Sequence, residues 1–146
     1  MWPAAKIATF ETMQNIFQPG DTKEFSHLVT AADAPSFQEQ IVHPVYSTFS
    51  LARDAEWTGR LFVLDMKDED EEGIGTSVVI THHSPAVIGE TVHFTATLGE
   101  ISGHEIVTPF EARVGDRLIA SGETRQKILK KEKLDRLFAR LRENLH

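Results

Sequence analysis

Three side chains in this 146-residue sequence hold the parts needed for nucleophilic attack and proton transfer: the hydroxyl of Thr48, the carboxylate of Glu56 and the imidazole of His82. Thr48 and Glu56 belong to one largely apolar stretch, residues 46–57, and Glu56 sits between Ala55 and Trp57. That is close to the stripe a helix would turn inward, where a carboxylate must be paired, hydrogen-bonded or kept for function. A helical glutamate usually faces solvent, so Glu56 alone says little. His82 ends a run opened by Gly75, beside His83 and just before Ser84 and Pro85. Neighbouring strand residues point to opposite faces, so only one of the two histidines can share a site with the helix. Hydroxyl, carboxylate and imidazole together are the inventory of hydrolytic acyl transfer, with the imidazole as proton shuttle. A His–His metal site would need further ligands close by; Ser84 and Pro85 offer none, and no metal is expected.

These groups need a helix and a strand brought together. From about Tyr46, the spacing of Phe49, Ala52, Ala55, Trp57, Leu61 and Leu64 predicts a mostly buried helix, with Ser47 or Thr48 as its cap. It should give out at the acidic run 68–72, and strands should follow from Gly75 to Leu129. Ser102-Gly103 and Gly115-Asp116 are expected turns, and residues 90–98 alternate as a half-buried strand does. An earlier strand is expected over residues 22–30. A short helix over residues 4–17 ends at Pro19-Gly20, and a last amphipathic helix carries Leu134, Leu137, Phe138, Leu141 and Leu145. The plan is α+β, an antiparallel sheet wrapped around one long helix, in a single domain over residues 19–146 with an N-terminal helical extension over residues 1–18. Such a sheet leaves an edge strand poorly covered, so a homodimer is expected.

Within one helix, Thr48 and Glu56 are separated by about 12 Å of axial rise, which excludes direct contact. An imidazole hydrogen-bonded through both nitrogens could span most of the gap, and a partner subunit could relieve what strain remains. Thr48, at the helix start, would also present a backbone N–H to an incoming carbonyl or anion.

Composition narrows the function. The chain has no cysteine, so disulfides, thiolate zinc sites and a catalytic thiol are excluded. No apolar run approaches the roughly 20 residues needed to span a bilayer, and the first residues lack the pattern of a secretory signal; an intracellular, cytoplasmic protein is expected. A net charge of −7 argues against nucleic-acid binding. The charge is uneven, because residues 125–146 carry eight Lys or Arg against three acids. A solvated face is the usual meaning of such a run, and attraction of a phosphorylated ligand is the other.

Thr48, Glu56-Trp57, Gly75-Thr76, Thr81-His82, Pro85 and Gly89 stand in an order and spacing that resembles the fluoroacetyl-CoA thioesterase-like branch of the hotdog-fold thioesterases. The resemblance extends from about Pro19 to Leu134, and Gly103 and Ser121-Gly122 fall where that family has turns. It implies a hotdog fold and hydrolysis of a short-chain or otherwise unidentified acyl-CoA to free acid and CoA, with Thr48, Glu56 and His82 as the catalytic groups. Gly75 would correspond to the glycine whose backbone N–H holds the thioester oxygen. Whether Thr48 or Glu56 attacks is left open by spacing. No cofactor is implied, since coenzyme A is part of the substrate.

Two departures bear on specificity. Val42 stands where fluoroacetyl-specific members carry a phenylalanine lid, and Gln126 stands where they carry an arginine, with Arg125 next door. Lys127, Lys130 and Lys131, just past the last strand, are candidates to meet the phosphates of coenzyme A. The alternative function is an acyl-CoA-binding hotdog module without turnover. A dehydratase using Asp54 ranks behind both.

Overall fold

A computed structural model describes residues 15–145. The elements are β1 (Thr22–Leu28), a 3-10 turn (Ala31–Asp33), β2 (Ser36–Phe37), β3 (Gln40–Ile41), α1 (Thr48–Met66) and β4 (Glu71–His82). They continue with β5 (Thr91–Thr97), β6 (Glu100–Ser102), β7 (Glu105–Val114), β8 (Arg117–Lys130) and α2 (Lys131–Glu143). The large sheet runs β1-β5-β7-β8-β4, every pair antiparallel, with β6 added beside β7. β4 is therefore an edge strand, paired on one side only.

α1 lies in the concave face. Its inward stripe is Leu51, Asp54, Ala55, Thr58, Gly59, Phe62, Val63 and Met66. The apolar members meet Val92, Phe94, Ala96, Ala112 and Ile128 of the sheet in one core. Each fully buried side chain of the size of Phe62 or Leu51 contributes about 2 kcal/mol. The helix is turned relative to the sequence expectation: Trp57 and Leu64 are exposed, and Phe49 is 82% exposed. The anchors Leu51, Ala55, Phe62 and Val63 follow one another at steps of four, seven and one residues on a single face, and their summed burial outweighs that of Phe49, Trp57 and Leu64.

Contact at mid-helix is close. A Cβ on Gly59 would come within 2.6 Å of the hydroxyls of both Thr108 and Thr124, which bond each other at 2.7 Å. The sheet is equally tight at Gly122, where a Cβ would fall 1.8 Å from the Val79 carbonyl oxygen. Ser121-Gly122 is therefore not a turn but the middle of β8. β4 begins at Glu71, inside the acidic run and ahead of the start expected at Gly75, because pairing with β8 extends back to Lys130 and satisfies that backbone. The turns at Gly103 and Gly115 do occur, with left-handed φ of 61° and 55°. The helix expected over residues 4–17 lies mostly outside the described residues; residues 15–17 are not helical, and Phe17 packs edge-on against Phe62 at 5.1 Å. Among the described residues no helix is long and apolar enough to cross a membrane.

The start of α1 is tied down by buried charge. Asp33 and Asp54 are 3% and 4% exposed. Arg53 donates to both Asp54 oxygens, at 3.0 and 3.1 Å, and to Asp33 at 3.3 Å. His27 bonds Asp33 at 2.8 Å, and the Tyr46 hydroxyl donates to Asp54. Burial pushes the Asp33 carboxyl upward, but hydrogen bonds from the Thr30 N–H, His27 and Arg53 outweigh it and hold the group down at about 2. Burial, together with the Asp54 hydrogen bond and charge, drives the Tyr46 phenol far above its usual range. The Asp54 hydrogen bond raises Arg53 still further above its usual range, more than burial lowers it.

Two outcomes are expected. Alanine is the better helix former by about 1 kcal/mol, yet Gly59→Ala should lower the stability read from urea unfolding by about 1–3 kcal/mol, because the added methyl meets two fixed hydroxyls; a stabilised variant would contradict the close approach. A depressed Asp33 means that its ionised form stabilises the fold above the ordinary value of 3.8, and that this is lost as pH falls toward about 2. The stability gap between wild type and Asp33→Asn should accordingly narrow by about 2 kcal/mol from pH 5 to pH 2. A gap independent of pH would refute it.

Candidate active site

Thr48 is the first residue of α1, directly after its cap. The Ser47 hydroxyl accepts from the Ser50 N–H at 3.0 Å, and the Ser47 N–H donates to the Asp33 carbonyl at 2.8 Å. Capping consumes the third free amide of the helix and leaves those of Thr48 and Phe49 without an acceptor among the described residues. Two N–H groups and the positive end of the helix dipole therefore point out beside the Thr48 side chain.

β4 brings His82 to the same place. The residues of β4 on the helix side are Gly73, Gly75, Val78, Ile80 and His82, because a register irregularity between Gly75 and Ser77 takes up one residue. His82 Nε2 lies 2.9 Å from the Thr48 hydroxyl. His83 points the other way and bonds the Ser121 hydroxyl at 2.7 Å. Both Thr48 and His82 open onto a cavity of about 490 Å³, whose walls include Pro35, Phe37, His43, Val45 and Pro85. Val42 is exposed on the segment leading away from the β2–β3 hairpin, its N–H bonded to the Pro35 carbonyl at 2.9 Å.

Glu56 is two helical turns further on and faces Gly75. A Cβ on Gly75 would lie 2.5 Å from Glu56 Oε1, so only glycine leaves the carboxylate its place. Within one chain Gly75 and His82 are about 20 Å apart along the strand, and among the described residues no hydrogen bond or ion pair joins Glu56 to His82. The structure thus forms two separate pairs: Thr48 with His82, and Glu56 with Gly75. The second lines an open groove of about 470 Å³ along the outer side of α1, with Phe49, Ala52, Arg53, Trp57 and Arg60. Gln126, buried on β8, donates to the Glu56 backbone carbonyl at 3.3 Å and supports that turn of the helix from below.

The three lysines are dispersed. Lys127 is on the face of β8 away from α1 and is itself engaged. Lys130 is paired with Asp70 at 2.9 Å, which raises the ammonium, through its hydrogen bond, above its usual range. Lys130 and Lys131 border a charged groove of about 510 Å³ with Asp70, Glu132 and Arg136. Among the described residues no three His, Asp or Glu side chains gather as metal ligands.

Sequence reasoning missed the charge network behind Thr48. Asp54 stands three residues after Leu51 and four before Thr58, on the inward stripe, and that spacing marks it as a buried carboxylate. Nothing in the sequence joins it to Asp33 or His27.

Comparison with known proteins agrees with this architecture. Residues 29–132 match the model of the FlK family, fluoroacetyl-CoA-specific thioesterase. A thioesterase superfamily member from Thermus thermophilus superposes with a TM-score of 0.84 at 34% identity, covering 89% of this chain and 96% of that one. A mutant of FlK in complex with fluoroacetate and CoA gives 0.72 at 23% identity, covering 81% and 99%. A hot-dog-like protein from Thermanaerovibrio acidaminovorans gives 0.79 at 18% identity, covering 89% and 94%. No curated protein matches the sequence. With the family model spanning most of its length and the fold the same, this chain belongs to the FlK family of hotdog thioesterases.

Proposed function

We propose that this protein is an acyl-CoA thioesterase whose active site is completed between two copies of the chain, with Thr48 and His82 from one copy and Glu56 and Gly75 from the other. The observation that carries the reading is the 2.9 Å contact between the Thr48 hydroxyl and His82 Nε2 at the mouth of the cavity. Family membership supports thioester hydrolysis, and the FlK mutant that holds fluoroacetate and CoA supports CoA as the thiol half of the substrate.

The case for a second copy is geometric. β4 is an unpaired edge of 12 residues, Val79 on it is 53% exposed, and Phe49 and Trp57 are exposed on the neighbouring helix. Long apolar edges and patches of this kind are covered in stable proteins. Because the irregularity after Gly75 absorbs one residue, antiparallel pairing of two β4 strands about Val79 sets Gly75 of each opposite His82 of the other, on the helix-bearing face. Glu56 then meets the imidazole that its own chain holds out of reach.

In this arrangement Thr48 gives its proton to His82, and its oxygen adds to the thioester carbonyl. The oxyanion that forms is met by backbone N–H groups at the start of α1 and at Gly75. Glu56 orients the imidazole and balances its positive charge. The C–S bond breaks, the CoA thiolate leaves and takes the proton from His82, and water then releases the acid from Thr48 by the same proton relay. A thiolate leaves readily, so proton donation is the mildest demand.

Val42, where the fluoroacetyl-specific members carry a phenylalanine, supports a short or otherwise unidentified acyl chain without strict selection for fluorine. Lys130 and Lys131 lie about 13 Å along the sheet from Gly75, within the span of a CoA molecule, and are assigned to its phosphates. A CoA substrate and a chain free of cysteine fit a cytoplasmic enzyme.

Free-thiol release from acetyl-CoA and a panel of longer acyl-CoAs tests this reading. Thr48→Ala and His82→Ala should each lose a hundredfold or more in kcat, while Lys130→Ala with Lys131→Ala should raise KM and spare kcat. Wild-type turnover in His82→Ala, or no turnover of any acyl-CoA by the wild type, would overturn it in favour of a binding module.

A further inference from the structure

The most deeply buried charges near the site take no part in the reaction as written, and they are attached to the pieces of backbone that meet at Thr48. His27 stands on β1, Asp33 in the 3-10 turn, Tyr46 on the segment entering α1, and Arg53 and Asp54 in the second turn of α1. Two carboxylates enclosed this closely repel each other, and the arrangement holds only when the guanidinium, imidazole and phenol keep their places. Such a cluster tolerates little movement. It is also wired to both members of the Thr48–His82 pair. The Ser47 N–H reaches the Asp33 carbonyl at 2.8 Å, and the Tyr46 N–H reaches the Ala86 carbonyl at 2.8 Å, on the loop that follows His82. Tyr46 therefore touches the cluster through its hydroxyl and the His82 loop through its backbone, two residues before Thr48.

We propose that Tyr46, Asp54, Arg53 and Asp33 are positioning residues that hold the Thr48 hydroxyl in register with His82. This rests on the assignment of that pair to catalysis, but its geometric content does not. Thr48 and His82 are both exposed, and their own packing does not fix a 2.9 Å contact. The rigid cluster behind them does. A reacting group displaced by about 1 Å loses a large part of its rate, so a network that binds no substrate can still govern turnover.

The test separates placement from stability and from chemistry. In an imidazole ¹⁵N spectrum, Thr48→Ala gives the His82 Nε2 resonance of a ring without its hydroxyl partner. Tyr46→Phe removes only the hydroxyl that donates to Asp54; it should move that resonance toward the Thr48→Ala position and lower kcat about tenfold with KM changed less than about twofold. Arg53→Gln, which removes the charge at a half-exposed position but keeps an amide that can donate to the carboxylates, should do the same in protein shown to be folded. Ser26→Ala should move only His93, which bonds that hydroxyl at 2.7 Å. A His82 resonance unmoved in folded Tyr46→Phe and Arg53→Gln overturns the proposal, whether kcat falls or not. Full turnover in Thr48→Ala would instead sink the catalytic assignment, with the resonance still reporting on placement.

Discussion

A 19-residue helix can lie deep in a curved sheet only where its middle carries no side chain against the strands. Gly59 is that point: the backbone of α1 rests directly over the Thr108–Thr124 hydroxyl pair. The depth it permits sets everything else. Leu51, Ala55, Phe62 and Val63 reach full burial on either side of it, and the helix start is carried down to the level of the last residue of β4. Without that approach Thr48 and His82, 34 residues apart in sequence, would not share a hydrogen bond.

The same packing keeps the Glu56–Gly75 pair apart from the Thr48–His82 pair. Helix and strand differ in rise per residue, so the eight residues from Thr48 to Glu56 cover about 12 Å while Gly75 to His82 covers about 20 Å. One chain can bring a hydroxyl to the imidazole or a carboxylate to the glycine, but not all four groups to one point. The exposed edge of β4 and the exposed aromatic groups of α1 lie beside the gap, and it is on this surface that the proposed pairing of two copies rests.

Much of this was legible in the sequence. The order Thr48, Glu56, Gly75, His82 identified the family, and the alternation over residues 90–98 and the turns at Gly103 and Gly115 gave the sheet. The helix face was harder. Phe49 and Trp57 are apolar and were expected inside, yet a helix meets its own sheet along one stripe, and apolar residues outside that stripe wait for another surface. The family resemblance implied a turn at Ser121-Gly122, but this glycine serves a close approach to the Val79 carbonyl within a strand. The cluster of His27, Asp33, Arg53 and Asp54 was beyond reach, since its members come from three separate segments and only the fold brings them together.

The claim that each active site draws on two chains is tested most directly by mixing two inactive variants. Glu56→Gln and His82→Ala, unfolded together and refolded, should regain about a quarter of wild-type thiol release, because half the dimers then carry one site with every group intact. No recovery from the mixture, with each variant folded and dimeric, would show that Thr48, His82 and Glu56 act within a single chain.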